Sequence, residues 1–194
     1  QGAAGIGFLT MADEFPRDDP AVTPDGPDKS APARKGMVVV YHGPGATKEI
    51  AGLGVLFRAN GRGLPVRHMR FKPDPRGEPS GDNLALEKLG IPSHVIDGPT
   101  EEAAAELWSK AVRHVSIVQE GVLVLEGLLD AIAEGWLSAA QVAEALSGKD
   151  SLLHVIVTGE TAPSELLDSA DLVSNMKAIK KRGSDAPVIA GIDY

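Results

Sequence analysis

The chain has 194 residues and no cysteine, which excludes disulfides, cysteine-ligated zinc and thiol catalysis. Aromatic residues are also scarce, at 4%, so the core has to be built from Leu, Val, Ile and Ala. Positive charge is outnumbered, with 19 Lys and Arg against 27 Asp and Glu and a net charge of −8. No basic run is long enough to form a nucleic-acid surface, and the acidic balance argues against a polyanionic partner. No apolar run approaches the roughly 20 residues of a membrane span. Residues 1–10 are too short for one and lack the basic leader of a secretion signal. The expectation is a cytoplasmic protein with a small-molecule ligand, no nucleic-acid partner and no membrane partner. Gln1 and Gly2 read as the remnant of a cleaved tag, with Met11 as the expected natural start. Residues 12–36, rich in Pro, Asp and Gly, read as an irregular tail. Residues 1–36 are therefore set apart from a single domain over residues 37–194.

What the chain does have is concentrated in residues 37–48, MVVVYHGPGATK. An apolar run of β type feeds a Gly-rich turn, and a lysine stands at the start of the next helical pattern. This is the layout of a phosphate-binding loop, in which backbone N–H groups and a helix N-terminus hold phosphate. The usual pattern ends Gly-Lys-Ser/Thr, whereas this one ends Thr47-Lys48-Glu49. The lysine is kept, the glycine before it is gone, and a carboxylate stands in place of the metal-binding hydroxyl.

Beyond the loop, strand and helix patterns alternate. Residues 37–41 form an apolar run suited to a strand buried on both faces. Residues 48–60 read as a helix that offers Ile50, Leu53, Val55 and Leu56 to the core. Gly61-Arg62-Gly63 ends it with a left-handed cap. Strands are predicted at 65–71, 93–96, 121–125, 152–157 and 172–176. A short helix is predicted near 84–89, after a Pro/Gly/Asp-rich loop over 72–84. Thr100 caps a long helix to about residue 116, with Glu101 and Glu102 at the positive end of its dipole. Ser138 and Gln141 form a capping box for a helix to about residue 146, and a last short helix covers 163–170. Such alternation implies an α/β fold, a mainly parallel sheet with helices on both faces. In such sheets ligands bind at the carboxyl ends of the strands.

These residues, in this order, resemble the ATP:corrinoid adenosyltransferases of the CobA/CobO/BtuR type. That family's loop runs Tyr-Thr-Gly-x-Gly-x-Gly-Lys-Thr-Thr. Tyr41, Gly43, Gly45 and Lys48 match it, while His42, Thr47, Glu49 and Ile50 depart. Arg58-Ala59-Asn60-Gly61-Arg62-Gly63 matches the family's Arg-Ala-x-Gly-x-Gly, and Arg70-Phe71-Lys72 approximates its Gln-Phe-x-Lys. Further matches are His154-Val155 with Thr158-Gly159, then Ala170-Asp171-Leu172-Val173, then Gly191-Ile192-Asp193-Tyr194. The resemblance covers residues 37–194. It implies the P-loop, RecA-like form of the α/β fold, a homodimer, and a reaction using ATP, Mg²⁺ and a corrinoid. In that reaction cob(I)alamin attacks C5′ of ATP and triphosphate leaves, with Lys48 neutralising phosphate charge.

The departures fall on charged and metal-handling positions. The family's strand-end Leu-Asp-Glu is here Leu125-Glu126-Gly127, and its Arg after Thr-Gly is Glu160. Its Gly-Phe-x-Trp segment, which lies beside the corrin ring, has no counterpart between Ile96 and Trp108. Each unit charge within about 4 Å is worth roughly 4 kcal/mol at an effective dielectric near 20. Two carboxylates, Glu49 and Glu160, therefore offset much of what one lysine and a helix terminus offer to a triphosphate. His42 reads as a turn histidine satisfied locally, or as a general base or axial corrinoid ligand. His42, Glu49, Glu126 and Glu160 are the candidate catalytic groups. Gly43, Gly45, Thr47, Lys48, Arg58, Lys72 and Thr158 are the candidate phosphate- or ligand-binding residues. Asp130, one turn after Glu126, reads as a solvated helix residue first and as a further member of the catalytic group second. No metal ligand set is assigned. The reading is a divergent relative that has lost ATP-dependent corrinoid adenosylation, and binds another ligand or performs ATP-independent chemistry in the same cleft. The alternatives are a working adenosyltransferase and a non-catalytic corrinoid-, nucleotide- or partner-binding protein.

Overall fold

The computed structural model describes residues 35–73, 79–149 and 152–192, apart from 182, 184, 185 and 188. The expected tail therefore lies, up to residue 34, outside the described residues, as do the last two residues of the closing motif. Six strands form one sheet in the order β3-β2-β4-β5-β1-β6. They are β1 (Val38–His42), β2 (Val66–Arg70), β3 (Ser93–Val95), β4 (Glu120–Glu126), β5 (Leu152–Gly159) and β6 (Leu172–Asn175). Every pairing is parallel, so all strands end at the same edge. The expected α/β class, with a parallel sheet and helices on both faces, is what the chain adopts, and it is consistent with a P-loop fold. Among the described residues no helix is long and apolar enough to cross a membrane.

The helices sort to the two faces by their apolar stripes. Helices α1 (Thr47–Gly61) and α2 (Gly81–Lys88) cover one face, where Leu53, Leu56 and Leu86 pack on Val39, Val122, Val124 and Ile156. Helices α3 (Glu101–Ile117), α4 (Leu128–Ala133), α5 (Ala139–Ser147) and α6 (Ser164–Ser169) cover the other. There Leu107, Leu128, Leu129, Val142, Leu146 and Leu166 pack on Val38, Val40, Leu123, Leu125, Val155 and Val157. The central strands β1 and β4 are buried on both sides, which is why they read as unbroken apolar runs. Each fully buried Leu or Val contributes roughly 1.5–3 kcal/mol of transfer free energy. Trp108 and Trp136 pack against the α3-side core.

Helix ends follow their sequence signals. Thr100 and Ser138 accept hydrogen bonds from the backbone N–H of Ala103 and Gln141. The α1 terminus is a Schellman turn, with Leu64 N–H donating to Ala59 O and Gly63 N–H to Asn60 O. Gly63 takes the left-handed position (φ +75°), while Gly61 is still helical. Three expectations need correction. Ile50 is 59% exposed and gives nothing to the core. The buried face of α1 is Lys48, Gly52, Leu53, Leu56 and Ala59, and Ile50 lies about 150° from its centre at 3.6 residues per turn. Helix α2 begins at Gly81, inside the predicted loop, because Ser80 caps it through Asn83 N–H. Helix α4, expected only as the helix that carries Asp130 and given no bounds, is six residues long and starts directly from a left-handed Gly127.

Candidate functional site

The parallel sheet brings the ends of β1, β2, β4 and β5 to one edge, and most candidate residues sit there. His42 is the last residue of β1, half-buried, in register with Gly159 of β5 and Asn175 of β6. The loop that follows is pinned by its backbone. Gly43 N–H donates to Glu160 O at 3.0 Å, and Met176 N–H donates to His42 O at 2.7 Å. Only glycine fits at position 43. Its φ is +125°, and a Cβ there would lie 2.2 Å from Met176 O. The backbones that carry His42 and Glu160 therefore lie side by side at the mouth, with Glu160 exposed.

Lys48 points inward. It is 4% exposed, its Nζ donates to Gly45 O at 2.6 Å, and it pairs with Glu49 Oε1 at 2.9 Å. The N-cap of α1 is Ala46, which makes no side-chain capping bond. The orphan N–H groups of the first turn create positive potential, and Glu49 is the one acidic side chain in that turn. The chain's own carboxylate thus pairs with the lysine and places a negative charge in the first turn of the helix, where a phosphate would otherwise be held. Glu49 Oε2 is buried without a hydrogen-bond partner. Thr47 is exposed at the first helical position.

Glu126, at the end of β4, is 3% exposed and tied to β2. His68 Nε2 lies 2.9 Å from its Oε2, and Arg70 Nε lies 2.9 Å from its Oε1. The other nitrogen of His68, Nδ1, meets Ser93 Oγ at 2.8 Å. The result is a polar line under α1 and α2 that crosses three strands, Ser93–His68–Glu126–Arg70. Sequence reasoning missed His68, which it left without a role inside the strand predicted at 65–71. The available signal was the run Val66-Arg67-His68-Met69-Arg70, in which His68 and Arg70 share one face of the strand, together with a neighbouring strand ending in Glu.

The rest of the rim is also internally paired. Lys72 Nζ pairs with Asp130, whose Oδ1 accepts from Glu160 N–H at 2.7 Å. Asp130 is thus a structural partner at the site rather than the solvated helix residue expected. Gly127 N–H donates to Thr158 Oγ1 at 3.1 Å, and Thr158 is fully buried. At Gly127 (φ +70°) a Cβ would lie 3.1 Å from Lys72 Cγ. The Lys72 stem thus lies against the one position where the expected second carboxylate is missing. Arg58 is exposed in the last turn of α1, about 15 Å along the helix axis from Lys48. It does not join the loop. Gly45 (φ +85°) turns the loop and supplies the carbonyl that holds Lys48.

His42, Glu49, Glu126 and Glu160 share no hydrogen-bond network among the described residues. Nor do those residues contain a group of three His, Cys, Asp or Glu able to hold a metal. The donor set does not fit a Mg-triphosphate: Glu49 is taken by Lys48, Glu126 by His68 and Arg70, and position 127 has no side chain. The five residues between β3 and α3, Ile96 to Thr100, include no aromatic that could stand for the family's corrin-side segment.

Comparison with known proteins places these features in a lineage. Residues 34–194 match the profile of the family described as ATP:corrinoid adenosyltransferase BtuR/CobO/CobP. A corrinoid adenosyltransferase of Escherichia coli (strain K12) is 30% identical over 173 residues, which cover 82% of this chain and 86% of that protein. The Salmonella typhimurium corrinoid adenosyltransferase CobA is 30% identical over 177 residues, 84% of this chain and 88% of that protein. An uncharacterized Nostoc protein is 30% identical over 182 residues, and there this chain spans only 48% of the relative's length.

Proposed function

This chain belongs to the ATP:corrinoid adenosyltransferase family, and from that premise we propose that it is a divergent member that does not transfer adenosyl from ATP. Its cleft takes a ligand without a triphosphate, uncharged or cationic. The observation that carries this reading is the Lys48–Glu49 pair, in which the phosphate-loop lysine is already neutralised and buried. The same pattern recurs around the cleft. Arg70 is matched by Glu126 and Lys72 by Asp130, so a triphosphate would have to displace a carboxylate from each cation it used. His42 and Glu160 are the groups left at the mouth to touch a ligand, as donor and acceptor or as an acid–base pair.

The working-transferase reading keeps one specific observation, the lysine at the start of α1. The two readings separate in a spectroscopic assay with chemically reduced cobalamin and Mg-ATP. The proposal expects no adenosylcobalamin above the rate without protein. Formation that depends on protein and ATP overturns it. The homodimer implied by the family belongs to the same proposal. Leu172 and Val173, about 40% exposed on the edge strand β6, offer an apolar surface for it. A dimer mass by light scattering supports it, and a monomer mass at micromolar concentration removes it.

A further inference from the structure

A second group of charged side chains lies at the opposite end of the sheet, where the strands begin. Side chains alternate along β2, so Arg67 faces the α3 layer with Met69 while His68 faces α1 and α2. His94 on β3 is in register with Met69 and shares the Arg67 face. Lys110 and His114 stand four residues apart on α3. Arg67 is close enough to act on both histidines, and Lys110 on His94. Burial first, then the positive charge of Arg67, holds both the His94 and His114 imidazoles below their usual pKa, and Lys110 adds to the effect at His94. Lys110 has a partner in Glu106 at 2.8 Å, and both are well exposed. Arg67 has no carboxylate or hydrogen-bond acceptor among the described residues. Its Nε and the His94 Nδ1 are fully buried without a partner. Buried donors without acceptors are rare in native proteins and costly to keep. In a chain of net charge −8, a guanidinium with no acidic partner among the described residues is the more notable.

A cavity of about 390 Å³ opens beside this cluster. Arg67, His114 and Asn60 supply its polar lining, and Ile91, Pro92 and Val118 are among its apolar walls. The volume lies at the small end of the roughly 300–1,000 Å³ range of ligand pockets. Along β2, Arg67 stands about 16 Å from Lys72 at the other edge, so none of the loop residues contributes to it.

We propose that this cavity is a binding site for a small organic anion, with one carboxylate or phosphate held by Arg67 and His114 and an apolar body against Ile91, Pro92 and Val118. Asn60 supplies a further donor, and the guanidinium gives the oxyanion a planar, two-pronged contact. The site does not depend on the state of the phosphate-type loop.

The test is a titration of the full chain with phenyl phosphate and with benzoate, followed by the imidazole C2–H resonances in NMR spectra. Saturable shifts of the His94 and His114 signals are expected with at least one probe, together with an upward move of both ring pKa values, because a bound anion favours the charged imidazole. Lys48→Ala should bind the probes as the parent does. Arg67→Gln should bind about tenfold more weakly or worse. His114→Gln, at a half-buried position of α3, supplies an independent loss if Arg67→Gln does not fold. Binding that survives Arg67→Gln in a folded protein overturns the proposal. So does binding lost in Lys48→Ala, and so does the absence of saturable shifts at tens of millimolar probe.

Discussion

Glu49→Thr restores the hydroxyl of the family pattern and removes the partner of Lys48. The two charges now stand 2.9 Å apart, an attraction of about 6 kcal/mol at an effective dielectric near 20, before desolvation is counted. A phosphate oxygen arriving about 4 Å from both groups gains about 4 kcal/mol from Lys48 and loses as much to Glu49. With Glu49 gone the gain stands alone. If half of it is lost to solvent screening, Mg-ATP affinity still rises about thirtyfold. Lys48 would keep its bond to Gly45 O, so the loop should hold its shape. Calorimetric titration of Glu49→Thr against the parent reads the difference directly, with Glu49→Gln as the control that removes charge at nearly constant volume. Equal ATP affinity in parent and Glu49→Thr refutes the argument that this carboxylate closes the loop to phosphate.

Four further outcomes follow from the geometry. Glu126→Ala leaves His68 and Arg70 without their buried acceptor, and chemical denaturation should show a loss of about 3–5 kcal/mol, with Glu126→Gln losing less. Gly127→Ala forces a side chain into a left-handed position 3.1 Å from the Lys72 stem, and should cost about 1–2 kcal/mol in the same measurement. Asp171 accepts from Val38 N–H at 2.8 Å, and that bond, followed by the one from Lys35, lowers its pKa in the fold. Its stabilising contribution is present above the unfolded-state value and is lost as pH falls through the folded value, so Asp171→Asn should flatten the acid limb of a stability–pH curve. Burial lowers the pKa values of His94, His114 and His154, so the unfolded chain binds more protons. Stability should therefore fall as pH drops below about 6.5, and a thermal-melt series across that region checks the sign.

Much of the fold was legible because its signals are local. The runs Val38-Val39-Val40 and Val122-Leu123-Val124-Leu125 are apolar because both faces of a parallel sheet are covered, and the Thr100 and Ser138 caps act within one helical turn. What escaped depends on neighbours distant in sequence. His68 was given only a place in the strand predicted at 65–71, yet β2 lies between β3 and β4 with helices on that face, so it is fully buried. Ile50 was counted toward the core because it is apolar, but the face of α1 was set by Leu53 and Leu56, which turned Lys48 inward instead. The loop and its lysine were readable; the closing of Lys48 onto Glu49 was not. Adjacent helical residues do not normally face each other, and only the fold-back toward Gly45 brings them together. Asp130 joined the site through α4, an element too short to announce itself.

Calorimetric titration of the unmodified chain with Mg-ATP tests the central claim most directly. A loop neutralised by its own carboxylate predicts no saturable heat at millimolar ATP. Micromolar binding that is abolished by Lys48→Ala would show that the lysine leaves Glu49 for phosphate, and would contradict the account.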